Sequence, residues 1–435
     1  MTRLRHLYTF LYRLSLPFII LRLLWRSKRA PAYRQRLNER FAFFVKPKRS
    51  GGLWLHAVSL GEVIAAIPLI REFKKLYPNE IVVVTTTTPT GSHQVQTAFG
   101  SQVFHIYLPY DLPGCMQRFL RKIQPRCVVI METELWPNLL YYCHKSSIPI
   151  LLANARLSER SARNYARIKP LTKEMLQYIT IIAAQTTIES ERYILLGMPP
   201  NRVVVTGSIK FDINIPQDLN DKAADLRCLL GNERLIWIAA STHEGEDEQI
   251  LWVHAQIRSY FPHCLLIIVP RHPERFGSVT QLCKKAGYNV VLRSEGKVCA
   301  PDTDIFIGDT TGELLLFYEV ADVAFVGGSL VPVGGHNLLE PAALAKPAIT
   351  GPYLHNFVEI SRLLITAKAI QQIQDKKQLA VAVLAYLKDA QLRYQAGQAG
   401  LRVVLNNRGA LVKQVNLIRD LFDTVEVGDR SIDLA

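Results

Sequence analysis

Three polar stretches in the first half of the chain carry side chains suited to proton transfer and charge stabilisation. His56-Ala57-Val58-Ser59-Leu60-Gly61-Glu62 runs from a short apolar segment into an amphipathic one, so it reads as a strand-to-helix loop. Ser59 can cap the helix, Gly61 leaves room for a ligand or backbone to come close, and Glu62 falls in the first turn, where the positive helix end favours a carboxylate. A capping acid and a general base that deprotonates an attacking hydroxyl both fit this position, and both readings stay open on this motif. Met131-Glu132-Thr133-Glu134-Leu135-Trp136-Pro137-Asn138 follows another apolar run, with Pro137 marking a helix start and Trp136 expected to pack between elements. In an extended chain, carboxylates two residues apart project to opposite sides, so at most one of Glu132 and Glu134 is expected to face a cleft. Gly207-Ser208-Ile209-Lys210-Phe211-Asp212 offers Lys210, either as a partner for an anion or as a solvated lysine.

The second half supplies groups for holding a phosphate and a ribose. Ala240-Ser241-Thr242-His243-Glu244-Gly245-Glu246-Asp247 offers hydroxyls and amides at a helix start. Pro270-Arg271-His272-Pro273-Glu274-Arg275 adds guanidinium groups suited to bidentate phosphate contact. Val326-Gly327-Gly328-Ser329 and Val333-Gly334-Gly335-His336-Asn337-Leu338-Leu339-Glu340-Pro341 bring paired glycines, which let a backbone approach a phosphate. Asn337 and Glu340, three apart on one helix face, are placed to hold ribose hydroxyls. The chain has neither the Gly-x-Gly-x-x-Gly dinucleotide fingerprint nor a Gly-Lys-Ser/Thr phosphate loop. Asp302-Thr303-Asp304 precedes a strand rather than following one, so it reads as a loop and no metal site is implied. The seven cysteines are odd in number, spread out and never Cys-x-x-Cys, which signals neither a disulfide framework nor zinc and fits a reducing compartment.

Such loops need parallel strands to present them. Apolar runs are predicted as strands at 53–57, 81–86, 103–107, 127–131, 148–153, 181–184 and 203–206, with helices such as 62–76, 112–123 and 187–196 between them. A second series follows at 236–240, 265–269, 289–292, 304–307, 323–326 and 348–350. Buried strands alternating with helices predict an α/β protein of two doubly wound, Rossmann-like domains, with a ligand in the cleft facing the carboxyl ends of the strands. The polar stretch 213–233 is the predicted linker, which divides the chain into 1–50, 51–212, 213–233 and 234–435.

Residues 1–50 stand apart. They hold thirteen Lys/Arg and the single acid Glu39, a net of +12 out of +15 for all 435 residues, so the remaining body is nearly neutral. Basic charge confined to one apolar end argues for a membrane surface and against a nucleic-acid partner. Only eight uncharged residues separate Arg13 from Arg22, and Pro17 is among them. A bilayer span needs about 20 apolar residues. Ser15, Arg22, Arg26 and Arg29 fall on one helical stripe with apolar residues around the rest, the pattern of an interfacial helix with snorkelling arginines. The interrupting arginines and the lack of a small-residue cleavage site weigh against a cleaved signal peptide. The basic group from residue 26 to 49 favours a body on the cytoplasmic side.

Four motifs in register, His-Ala-Val-Ser-Leu-Gly-Glu, Glu-Thr-Glu-Leu-Trp-Pro-Asn, Pro-Arg-His-Pro-Glu-Arg and Gly-Gly-His-Asn-Leu-Leu-Glu-Pro, follow a basic apolar N-terminus. In this the chain resembles the 3-deoxy-D-manno-octulosonic acid (Kdo) transferases of Gram-negative lipopolysaccharide assembly, over roughly residues 1–425. The resemblance implies a GT-B glycosyltransferase that moves Kdo from CMP-Kdo to a hydroxyl of the tetra-acylated lipid A precursor. It implies inversion at the anomeric carbon, no metal and no cofactor. Glu62 would be the catalytic base, and Glu132 and Lys210 the transition-state stabilisers. Pro270, Arg271, Thr311, Gly312, Glu313, Asn337, Leu338, Leu339 and Glu340 would bind CMP, while Ser59 and Gly61 would lie on the acceptor side. The N-terminal helix would bring the enzyme to the cytoplasmic face of the inner membrane, where Lys and Arg also suit the acceptor's phosphates. The C-terminal helix, at 411–422, is expected to cross back onto the first domain. Another GT-B enzyme using a UDP-sugar, transferase or epimerase, and a non-catalytic membrane-docked nucleotide binder are the competing readings.

Overall fold

Residues 2–28 and 30–424 are described in a computed structural model of the chain. Arg29 of the predicted arginine stripe, and the residues beyond 424, lie outside them. The chain folds as two compact units, the first running to Ile209 and resuming at Arg408, the second spanning Lys210–Asn407.

In the first unit, β1 (Leu53–His56), β2 (Val82–Thr86), β3 (Phe104–Tyr107), β4 (Cys127–Met131), β5 (Ile150–Ala155), β6 (Ile181–Ala184) and β7 (Val203–Val205) form one sheet in the order β3-β2-β1-β4-β5-β6-β7. Every pairing is parallel, with His56 opposite Ile130 at the centre. Both faces are covered, which is why the strands are apolar throughout rather than alternating. Trp54 packs on Phe119 (4.7 Å between ring centroids) on one face, while Leu53 and Leu55 join Phe73 on the other. The helix Ala410–Asp423 lies on that second face against the helix Leu60–Leu76 and against β4 and β5. Its buried Phe422 meets Phe73 at 5.0 Å, and Arg126 donates to the Phe422 carbonyl at 2.9 Å.

The second unit repeats the plan. β8 (Ile236–Thr242), β9 (Leu265–Pro270), β10 (Val290–Leu292), β11 (Ile305–Ile307), β12 (Val323–Val326), β13 (Ala348–Thr350) and β14 (Ile370–Gln372) form a second parallel sheet in the order β10-β11-β9-β8-β12-β13-β14. In each sheet the winding direction reverses at one point, between β1 and β4 and between β8 and β12. At such a reversal the two loops leaving the carboxyl ends run to opposite faces and leave a crevice.

Two sequence expectations are corrected, and one strand is added. The segment 213–233 is not merely a linker, because it contains the helix Leu219–Leu230, whose Leu219, Ala223, Leu226 and Leu230 are buried in the core beneath β8 and β12. Their 4-3-4 spacing is an amphipathic stripe hidden in a polar composition. Residues 31–50 do not belong with the membrane-associating stretch. Arg36 donates to the His105 carbonyl at 2.8 Å and pairs with Glu39 at 2.7 Å, and the buried Arg40 donates to the Thr87 carbonyl at 2.9 Å. These arginines therefore fold against β2 and β3. β14 was missed because it is a three-residue edge strand with Gln371 and Gln372 exposed.

The N-terminal helix Thr2–Ser27 continues through Pro17, and by length and hydropathy its stretch Leu4–Ser27 is sufficient to cross a membrane. Its first turns are nevertheless docked on protein. Arg5 is buried, donates to Asn138 Oδ1 at 2.9 Å and stacks 3.6 Å over the Tyr141 ring, and Thr9 exchanges hydrogen bonds with the same asparagine. Asn138 is held in turn by the buried Asp111, which accepts from the amides of Asn138 and Leu139 at 3.0 and 2.7 Å. On the opposite side Leu4, Leu7, Leu11, Leu14, Phe18, Leu21 and Trp25 are all exposed, in unbroken 3-4 spacing.

Candidate functional site

The reversal in the first sheet is where the predicted acids gather. Glu62 enters from β1 through the helix Leu60–Leu76, which Ser59 caps by accepting from the Glu62 amide at 3.4 Å. The carboxylate folds back, accepting from the Val58 amide at 2.8 Å and the Ser59 hydroxyl at 2.9 Å. This is a capping box in form. Glu62 is only 8% exposed, however, and burial pushes its carboxyl from 4.5 up to about 7. The bonds from Val58 and Ser59 oppose that rise, and the nearby Glu134 and Glu132 add to it. The capping acid and the acid poised for proton exchange near neutrality are therefore the same group. At Gly61 a β-carbon would meet no atom within 4 Å, so the surface beside Glu62 is open.

Glu132 leaves β4 on the other side of the reversal. Its φ is +57°, and its amide donates to the Ala153 carbonyl at 2.9 Å. A left-handed residue breaks the alternation of an extended chain. The charges of Glu134 and Glu132 both reach Glu62 and raise its carboxyl. Glu134 is the residue that motif spacing alone passes over. It accepts from Trp136 Nε1 at 2.9 Å, and burial, with Glu132 beside it, pushes its carboxyl upward. Lys210 opens the second unit, within the turn Ile209–Phe211. That turn is fixed at its start by Asn154, which accepts from the Ile209 amide at 3.1 Å and whose own amide is bound by the buried Gln414 of the C-terminal helix.

At the reversal in the second sheet the loops after β8 and β12 are tied together by Glu246. This fully buried carboxylate accepts from the amides of His243 (2.9 Å), Gly328 (2.7 Å), Ser329 (3.0 Å) and Leu330 (2.9 Å). A β-carbon on Gly327 would stand 2.8 Å from the Ser241 carbonyl and 2.9 Å from Glu246, so glycine is required by the clamp itself. Asp247 accepts from the Thr242 hydroxyl at 2.7 Å and pairs with Arg275. Arg275 also donates to the Thr242 carbonyl at 2.7 Å, which makes it an internal strut between β8 and β9 rather than a free phosphate ligand.

Arg271 remains exposed at the end of β9, following the buried Pro270. Its charge reaches Glu340 and His336. Asn337 donates to Glu340 at 3.0 Å and accepts from the Leu339 amide at 3.1 Å, turning the chain into the next short helix. Burial pushes the Glu340 carboxyl up against the opposing effects of Asn337 and Arg271. Asn337 and Glu340 are thus in direct contact, and the charge of Arg271 reaches the pair. Leu338 and Leu339 are core residues with buried side chains, so a ligand could meet only backbone atoms there, and the Leu339 amide is already given to Asn337. Thr311 and Gly312 are exposed beyond β11, two strands from the reversal, and Glu313 is engaged by Arg293 at 2.8 and 3.1 Å, a pairing that holds its carboxyl below the usual range. Arg293 carried no motif signal. His243 and His336 face one another with their Nε2 atoms 2.8 Å apart.

Among solved structures the chain is similar to MurG from Acinetobacter baumannii, with a TM-score of 0.55 and 10% identity, covering 86% of this chain and 100% of that one. Two doubly wound parallel sheets in tandem, with polar loops at each reversal, make this an α/β protein of the GT-B class. The family model described as 3-deoxy-D-manno-octulosonic-acid transferase matches residues 35–213. The 3-deoxy-D-manno-octulosonic acid transferase of Haemophilus influenzae is 44% identical over 418 residues, covering 95% of this chain and 98% of that protein. That of Bordetella pertussis is 34% identical over 383 residues, covering 85% and 87%. The chain belongs to the Kdo transferase family and is a glycosyltransferase.

Proposed function

We propose that this Kdo transferase takes the sugar from CMP-Kdo and places it on a hydroxyl of the tetra-acylated lipid A precursor, with inversion and with Glu62 as general base. The acceptor oxygen attacks the anomeric carbon as the bond from that carbon to the CMP phosphate breaks. The hydroxyl proton passes to Glu62 and the electron pair leaves on CMP. The observation that carries this reading is a buried carboxyl with its proton affinity raised to about 7, at the open surface beside Gly61. A base of that strength matches a working pH near neutrality, and above about 7 it is in the accepting form. Glu132 and Lys210 are assigned to transition-state stabilisation, and Ser59 and Gly61 to the acceptor side. CMP is assigned to Pro270, Arg271, the 311–313 turn with Thr311, Gly312 and Glu313, and 337–340 with Asn337, Leu338, Leu339 and Glu340. Arg271 supplies charge for the phosphate, and the Asn337–Glu340 pair supplies acceptors for ribose hydroxyls.

The N-terminal helix supports action at the cytoplasmic face of the inner membrane, where the acyl-chained acceptor would be met. Its exposed stripe from Leu4 to Trp25 gives an apolar face for acyl chains, flanked by the exposed Arg13, Arg22 and Arg26. Because Arg5 and Thr9 hold its first turns on Asn138, an interfacial position suits it better than a crossing. The test is CMP release and product mass with CMP-Kdo generated in place and the tetra-acylated precursor. Wild type is expected to add Kdo, and Glu62→Ala to bind CMP without turnover. A wild type that is inactive with both substrates, or a Glu62→Ala variant that keeps its turnover, overturns the reading.

A further inference from the structure

We infer that the facing imidazoles of His243 and His336, with Arg271 beside them, form the phosphate subsite of the second unit and take up one proton when the phosphate of a cytidine nucleotide arrives. This rests on the proposal that the second unit binds CMP. The amides of the paired glycines and their neighbours at this reversal are already given to protein acceptors. The His243, Gly328, Ser329 and Leu330 amides all donate to Glu246, and the Gly334 and Gly335 amides both donate to the Gly328 carbonyl, at 3.1 and 2.8 Å. These amides are not free for an anion, and the positive charge for a phosphate is left to side chains.

The two rings stand over Gly328, one of the glycines that the sequence marked for phosphate. A β-carbon on Gly328 would lie 2.9 Å from the His336 ring and 3.4 Å from that of His243. The rings are nearly parallel, 8° apart, with Nε2 to Nε2 at 2.8 Å, and His272 meets His243 edge-on at 5.4 Å. One Nε2 must donate and the other accept, so the neutral pair has one proton per ring. A third proton fits on the donating ring's Nδ1 without breaking the contact, but a fourth would leave two facing donors. The pair can therefore take up one proton and no more.

The surroundings keep that proton off until an anion comes. Burial, Arg271, His243 and His272 hold His336 down at about 4. Burial, His272, Arg275 and Arg271 hold His243 below its usual value, with Asp247 opposing. Of the nearby acids, Asp247 is paired with Arg275, Glu246 is bonded to the four amides, and Glu340 accepts from Asn337. A phosphate dianion replaces this positive environment by a negative one, which favours the imidazolium. Binding then draws in a proton at any pH between the free and bound values, and affinity for the dianion rises as pH falls through the bound value.

The experiment is titration calorimetry of the full chain in detergent with CMP at about pH 7, in two buffers of different ionisation enthalpy. Wild type is expected to take up a substantial fraction of one proton per CMP. His336→Asn is expected to lose that uptake and to bind CMP roughly tenfold more weakly, the loss of one charge-assisted contact. Cytidine, which lacks the phosphate, serves as the control. No uptake in wild type, equal uptake with cytidine, or uptake unchanged in His336→Asn each overturns the inference while leaving CMP binding intact. Absence of CMP binding in wild type overturns the donor-site reading and this inference with it.

Discussion

Replacing Glu62 by glutamine is expected to stabilise the protein while abolishing transfer. The gap between 4.5 and about 7, at about 1.4 kcal/mol per pH unit, makes the ionised side chain about 3 kcal/mol less favourable in the folded chain than in the unfolded one. The folded value is the raised one. The corresponding stability is therefore present in full below about pH 4.5 and is lost as pH rises through about 7. Glutamine never ionises, and its geometry is compatible with the site. Its carbonyl can accept from the Val58 amide while its amide donates to the Ser59 hydroxyl oxygen, in place of the bonds now seen at 2.8 and 2.9 Å. Thermal unfolding of full-length wild type and Glu62→Gln in the same detergent is the assay. At pH 8 the variant should melt several degrees higher, given about 2–4 °C per kcal/mol for a unit of this size, and at pH 4.5 the two should coincide. A variant no more stable than wild type at pH 8, or equally more stable at both pH values, would refute the account of Glu62 as a carboxyl strained by burial.

Two further outcomes follow from the two units separately. Glu246→Gln leaves part of the four-amide clamp facing an amide rather than a carboxylate; it should cost about 2–4 kcal/mol in denaturant unfolding and weaken CMP binding at least tenfold, and unaltered CMP affinity would show that the clamp does not shape the donor site. Arg5→Ala removes the hydrogen bond to Asn138 and the stack on Tyr141, together about 2 kcal/mol, so trypsin should cut the helix Thr2–Ser27 markedly faster after Arg13 or Arg22, and unchanged protection would mean the helix is not held there.

Much of the protein could be read from its order of residues. Both strand series, the parallel α/β class and the strand ends that present Glu62, Arg271 and Glu340 follow from local patterns, because a strand buried on both faces must be apolar over its whole length. Edges and disguised helices were lost for the converse reason. β14 has two exposed glutamines, and the helix Leu219–Leu230 hides its four buried side chains among polar neighbours. The resemblance also carried over residues whose side chains turn out to belong to the core, as at Leu338 and Leu339.

Residue order alone settles which chemical groups are present and which strand ends carry them. What those groups can do is settled by folding. Glu132 takes a left-handed backbone angle, and the charges of Glu132 and Glu134 both reach Glu62, a proximity that no residue type announces. Burial, a property of everything packed around a side chain, turns a capping glutamate into an acid near 7 and pushes His336 down to about 4. Of the glycines marked for phosphate approach, Gly327 leaves room for Glu246, while Gly328 gives its amide to that carboxylate, some eighty residues earlier in the chain, and lies under two imidazoles. Residue type and spacing are local, whereas desolvation and hydrogen-bond occupancy depend on neighbours that only the folded chain brings together.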